Sequence, residues 1–174
     1  MKFFRHYLVL ICLGCFISQA NAEQLPYYYG VGVGPTNYAQ AGGGDPGLDL
    51  YFGKYVTNNI LMEAGYSNLS EDGSEDIPSQ ASTLFAGGLI NLYSQRNQLY
   101  SGFFTAGLHS WYYKLAPETD SGLDLYYGIG GMYSLDKKLS IRLTMKRYIL
   151  NPKILGKEID EEIMLTSFGI QYRP

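Results

Sequence analysis

The sequence predicts an all-β chain of eight antiparallel strands closed as an up-and-down barrel, and three observations predict it. Segments in which apolar and polar residues alternate recur eight times along the 174 residues, and period-two alternation marks a strand with two unlike faces. The links between these segments alternate between short and long. No stretch after residue 22 approaches the roughly 20 apolar residues of a membrane-spanning helix, nor reads as a helix at all.

The first 22 residues stand apart. Lys2 and Arg5 precede an apolar run over 7–17, and Ala20-Asn21-Ala22 offers small residues for cleavage before Glu23. This is the anatomy of a secretory signal peptide, removed from the mature chain. Leu13-Gly14-Cys15 is a weaker, lipoprotein-like alternative, with Cys12 where an aliphatic residue belongs. Cleavage leaves residues 23–174 as one barrel domain with 11 basic and 16 acidic residues, a net charge of −5. Cys12 and Cys15 leave with the signal, so disulfides and thiolate chemistry are excluded. The acidic balance argues against nucleic acid as a partner.

The eight segments fall near 27–36, 46–56, 59–69, 81–93, 98–113, 122–135, 138–150 and 162–173. In the third, Ile60, Met62, Ala64 and Tyr66 oppose Glu63, Gly65 and Ser67. In the sixth, Leu123, Leu125, Tyr127 and Ile129 oppose Asp124, Tyr126, Gly128 and Gly130. The seventh sets Leu139, Ile141, Leu143 and Met145 against Ser140, Arg142, Thr144 and Lys146. The eighth sets Met164, Thr166, Phe168, Ile170 and Tyr172 against Ser167, Gly169, Gln171 and Arg173. Short links at 57–59, 94–97 and 136–137 alternate with longer ones near 37–45, 70–80, 114–121 and 151–161, the arrangement of a barrel with turns on one side of a membrane and loops on the other.

Alternation alone does not say which face points inward. Three features turn the apolar face to lipid and make the barrel transmembrane: it carries no charge over its central parts; the polar face holds Gly53, Gly65, Gly87, Gly107, Gly128, Gly130 and Gly169, suited to a cramped lumen; and tyrosines gather near segment ends. The last are Tyr27, Tyr28, Tyr29, Tyr66, Tyr93, Tyr100, Tyr112, Tyr133, Tyr148 and Tyr172, expected as rings in the apolar zone with hydroxyls among headgroups.

Several stretches, in order, resemble the small eight-stranded outer-membrane barrels typified by the transmembrane domain of outer membrane protein A and by outer membrane protein X. Gly53-Lys54-Tyr55-Val56-Thr57-Asn58-Asn59 with Leu61-Met62-Glu63-Ala64-Gly65-Tyr66 is similar to the second strand, turn and third strand. Gly130-Gly131-Met132-Tyr133-Ser134-Leu135 with Leu139-Ser140-Ile141-Arg142-Leu143 resembles strands six and seven, and Gly169-Ile170-Gln171-Tyr172-Arg173 the closing strand. The resemblance implies a monomer in the cell outer membrane, in contact with outer-membrane lipid and lipopolysaccharide and inserted by the barrel-assembly machinery. It also implies an assembly signal at Gly169 and Tyr172, although Pro174 stands where relatives end in an aromatic.

Catalysis has no candidate. His109, the one histidine after the signal, adjoins Ser110, but neighbours on a strand point to opposite faces. Glu71, Asp72, Glu75 and Asp76, and then Asp160, Glu161 and Glu162, read as charge-rich loops without a recognised calcium-loop spacing. No cofactor or metal is therefore expected. The expected structural site is the lumen. Glu63 and Arg142 rise similar distances from short turns on strands that face each other, so they should pair across the axis, as the resemblance also implies. Asp49, Asp124, Lys146 and Arg173 extend that network. Arg147, of lipid-facing parity near a loop, meets either a lipopolysaccharide phosphate or water.

The function expected is that of a non-enzymatic outer-membrane barrel whose acidic loops meet an extracellular partner. A narrow pore, a lipid-modifying enzyme and a soluble periplasmic barrel holding an apolar ligand remain as alternatives.

Overall fold

The computed structural model describes residues 27–39, 42–57, 59–72, 79–92, 99–115, 118–154 and 156–174, and the predicted signal peptide lies outside the described residues. Eight strands close into an antiparallel barrel: β1 (Tyr27–Tyr38), β2 (Gly42–Tyr55), β3 (Ile60–Asp72), β4 (Ser79–Asn91), β5 (Tyr100–Leu115), β6 (Glu118–Ser134), β7 (Leu139–Leu150) and β10 (Glu161–Tyr172). Each pairs with its neighbour in the chain, and β10 closes on β1 through pairs such as Tyr29 with Tyr172 and Val33 with Phe168. Closure leaves no sheet edge in the wall, the condition for a sheet to sit in hydrocarbon.

The short turns have local causes. Thr57 Oγ1 accepts the N–H groups of Asn59 (3.2 Å) and Ile60 (3.0 Å) between β2 and β3. Asp136 Oδ1 accepts those of Lys138 (2.6 Å) and Leu139 (2.8 Å) between β6 and β7. These two bonds hold the exposed Asp136 carboxyl below the usual carboxylate range.

The structure narrows all four expected loops: within 37–45 Asn37 and Tyr38 pair with Gly43 and Gly42, and within 70–80 Glu71 and Asp72 pair with Gln80 and Ser79, while the other two change more. The one placed at 114–121 is mostly wall: β5 and β6 stay paired to Leu115 and Glu118, because Trp111 and Tyr113 are buried inside and carry the hairpin upward. Within 151–161 the chain forms a small hairpin, β8 (Lys153–Ile154) with β9 (Lys157–Glu158). Pro152 has no N–H with which to continue β7, and Gly156, at φ 74°, supplies the left-handed turn.

Polarity is arranged in two layers. Around the middle of the barrel the outward side chains are Val31, Leu50, Leu84, Phe104, Leu125, Ile129, Leu143 and Phe168, all exposed, while the lumen behind them is charged and hydroxylated. Near the loop end the order inverts. Tyr38, Leu69, Ala81, Trp111, Tyr113, Leu150, Ile163 and Leu165 are buried inside, and Asn37, Asn68, Ser82, Ser110, Lys114, Thr119 and Ser121 take the outward parity. An apolar exterior suits lipid and an apolar interior suits water outside, so the inversion marks where the wall leaves the hydrocarbon.

Tyr27, Tyr29, Tyr100 and Tyr133 ring the turn end on the outside, and Tyr66, Tyr112 and Tyr127 lie outward toward the loops. Tyr28 and Tyr148, expected in the outer belt, point instead into the lumen and are fully buried. Their parity matches that of Gly30 and Lys146, and parity outranks proximity to a strand end. Tyr93 lies outside the described residues. The ring of Tyr28 occupies the space that a Cβ on Gly53 would fill, so this lumen glycine makes room for an aromatic on the next strand.

Candidate functional site

The lumen is built from inward residues of all eight wall strands. Glu63 on β3 and Arg142 on β7 come from opposite walls and meet in a bidentate pair, Nη1 to Oε2 at 2.5 Å and Nη2 to Oε1 at 3.1 Å. Lys146, two inward positions above Arg142 with Thr144 between them, contacts both carboxylate oxygens of Asp49 on β2 at 2.9 and 3.1 Å, and lies 3.7 Å from Glu63. All four are fully buried, so two acids and two bases cancel within a space that excludes water.

Neutral groups occupy the remaining hydrogen-bonding positions. Tyr28 donates to Glu63 (3.0 Å), Ser67 donates to Asp49 (2.8 Å), and Arg142 Nε donates to Thr144 (3.0 Å). The guanidinium lies 4.3 Å from the ring centre of Tyr51 and 4.6 Å from that of Phe103, and the Lys146 ammonium 3.7 Å from that of Phe85. Cations held over aromatic faces, and paired as well, are tolerable in a low-dielectric interior.

Asp124 and Arg173, expected in this network, share its face but not its level. Asp124 accepts Trp111 Nε1 (2.7 Å) and Asn151 Nδ2 (3.3 Å) near the loop end. Arg173 donates to Tyr55 Oη (2.7 Å) at the turn end. A strand places equal parity at every height, and only side chains at one height can meet. The acids at the start of β10 are not loop residues either: Glu161 is buried inside, and Glu162 pairs outside with Arg147, which also donates to Tyr127 Oη (3.2 Å).

His109 lies in the lumen, with Nε2 donating to the Ile149 carbonyl (2.9 Å) and Nδ1 beside Thr83 Oγ1 (2.8 Å). Ser110 takes the opposite face, so the two never converge. Among the described residues no group of three or more His, Cys, Asp or Glu is arranged to hold a metal ion. Gly169 fits where it does for a mechanical reason: a Cβ there would overlap the backbone of Val31 and Gly32 on β1. Tyr172, half-buried on the outer face, packs its ring 5.5 Å from that of Tyr29. Sequence reasoning missed the Asp124 tie to Trp111 and Asn151 and the apolar upper layer. The latter was signalled by Leu69, Ile163 and Leu165, which share parity with Glu63 and Ser167.

Sealed charges inside and bare hydrocarbon side chains outside coexist only where the surrounding solvent is lipid, which makes this a transmembrane β-barrel. The chain belongs to the outer membrane protein beta-barrel domain family, whose sequence profile matches residues 8–172, and its place is the outer membrane. The fold is similar to that of Neisserial surface protein A, at a TM-score of 0.68 and 8% identity over 84% of this chain and 96% of that one. It is also similar to Ail, the attachment invasion locus protein of Yersinia pestis (TM-score 0.59, 16% identity, 86% and 99% covered). A third likeness is to OprG of Pseudomonas aeruginosa (TM-score 0.56, 10% identity, 86% and 95% covered). A comparison with curated protein sequences returns no match.

Proposed function

We infer that this barrel is a monomeric, non-enzymatic and non-conducting anchor that holds acidic loops at the membrane surface for contact with a partner. The observation that carries the reading is the double obstruction of the lumen. The Glu63, Arg142, Lys146 and Asp49 cluster is fully buried across the axis, and the layer of Tyr38, Leu69, Trp111, Tyr113, Ile163 and Leu165 lies above it. A small ion following the axis would have to break buried pairs and then cross an apolar layer, each costly. His109 and its partner Thr83 are both buried in the wall, with the ring tied at its other nitrogen to the Ile149 carbonyl, which supports a structural rather than a catalytic role for them.

The loops then carry the variable surface. Residues 70–80 hold Glu71, Asp72, Glu75 and Asp76 without a base, and the β8–β9 hairpin adds exposed Glu158 beside Lys157. Ail was solved in complex with the heparin analogue sucrose octasulfate, but a polyanion of that kind would be repelled by these acidic loops. A cationic partner surface suits them, with association that weakens as salt rises. Planar-bilayer recording tests the first half of the reading: no stable large conductance is expected, and a steady single-channel current from folded protein would refute it. An epitope inserted after Gly73 tests the second, since it should be labelled on intact cells and not only after permeabilisation.

A further inference from the structure

A groove of about 700 Å³ runs down the outer wall, across β5, β6, β7, β10 and β1, apart from the lumen. It starts at the loop end among Asn37, Ala39 and Glu162 and descends past Arg147 and Met164 to Phe104, Ile129 and Met145 at mid-barrel. Small residues make the depression: the row that pairs Ala106 with Tyr127, and Tyr127 with Arg147, has only a methyl on β5. Its lower part is apolar throughout, and its volume lies within the roughly 300–1,000 Å³ range of small-molecule sites. Polar groups gather only at its upper end.

We propose that this groove is a lipid site, holding one acyl chain of a lipid from the loop-side leaflet with a phosphate monoester headgroup at Arg147. The occupant follows from the place and the charge. The wall is bathed in lipid, so the groove is filled by hydrocarbon, and its axis runs from the headgroup level toward mid-membrane as an acyl chain does. Arg147 is the cation on its lining. A guanidinium has five N–H donors, and Arg147 commits Nη1 to Tyr127 and Nη2 to Glu162, leaving Nε and further N–H groups for a phosphate. The Glu162 pair lies on the outer face, with side chains 47% and 38% exposed, so a headgroup at that level reaches the guanidinium without the pair being broken. Glu162 in turn accepts from a headgroup hydroxyl or ammonium.

The test uses the whole barrel in maltoside micelles with two probes of identical chains, dimyristoyl phosphatidic acid and dimyristoylglycerol, and counts retained lipid by native mass spectrometry. The wild type should keep one phosphatidic acid at least about tenfold more tightly than the diacylglycerol. Arg147→Gln should erase that difference. Ala106→Leu, which fills the floor, should weaken both lipids, and Met145→Trp serves the same purpose if that variant does not fold. Equal retention of the two probes by the wild type overturns the headgroup assignment. A folded groove-filled variant that retains phosphatidic acid like the wild type overturns the site.

Discussion

Replacing Arg142 by Met keeps the length of the side-chain stem and removes the charge that faces Glu63. The wild-type arginine makes two bonds to Glu63 and one to Thr144, and lies over two aromatic rings. Removing one partner of a buried pair costs about 3–5 kcal/mol, because the other charge is left without compensation. For Arg142→Met the lower end of that range applies, since Glu63 keeps the Tyr28 hydroxyl at 3.0 Å and the Lys146 ammonium at 3.7 Å. Glu63→Gln falls at the upper end, as it leaves Arg142 with only neutral acceptors at Thr144 and Gln171 while Asp49 stays committed to Lys146. The double variant should cost less than the sum of the two by about 1–3 kcal/mol. Urea unfolding in lipid vesicles measures all three, and Trp111, the single tryptophan, reports from inside the barrel. Single-variant losses below about 1 kcal/mol, or strict additivity, would refute the claim that these charges depend on each other.

Two further outcomes are expected. Pro174 is exposed, and the pairing of β10 with β1 ends at Tyr172, so Pro174→Phe should raise the folded yield in the outer membrane and Tyr172→Ala should lower it; no change in either would remove the C-terminus from the determinants of assembly. Asp136 is held below its ordinary value by two backbone N–H groups, so its contribution to stability is complete above the unfolded-state pKa and is lost as pH falls through the lower folded-state value. Asp136→Asn keeps an acceptor but cannot titrate, and unfolding curves taken across that acid window should converge with the wild type toward low pH; a pH-independent gap would contradict the assignment.

Much of this was legible in the residues because a strand converts sequence position into direction. Parity alone puts Glu63, Arg142, Lys146 and His109 inside and Leu125, Ile129 and Phe168 outside. Opposition in an eight-membered ring then brings β3 against β7. Height was not legible. Asp124 and Arg173 have the correct parity, but the tilt and stagger of the wall set them at opposite ends of the barrel, each beside its own neutral partners. The tyrosines show the same limit: closeness to a strand end suggested an outer belt for Tyr28 and Tyr148, whereas parity sends both inward. Inferring one solvent for the whole exterior hid the upper layer. The wall passes from lipid into water partway along β3, β5 and β10, and the apolar side exchanges faces there.

That exchange gives the two halves of the barrel different responses to temperature. The lower half keeps its polar groups away from hydrocarbon and draws little on the ordering of water around apolar side chains. The upper half, with Leu69, Trp111, Tyr113, Ile163 and Leu165 enclosed by a wall that faces water, is held as a water-soluble core is held. Its stability therefore carries the large heat-capacity change of apolar burial and weakens on cooling. Chilled membranes should loosen the loop-bearing hairpins while the embedded belt stays closed, so the surface offered to a partner changes with the cold and its anchorage does not.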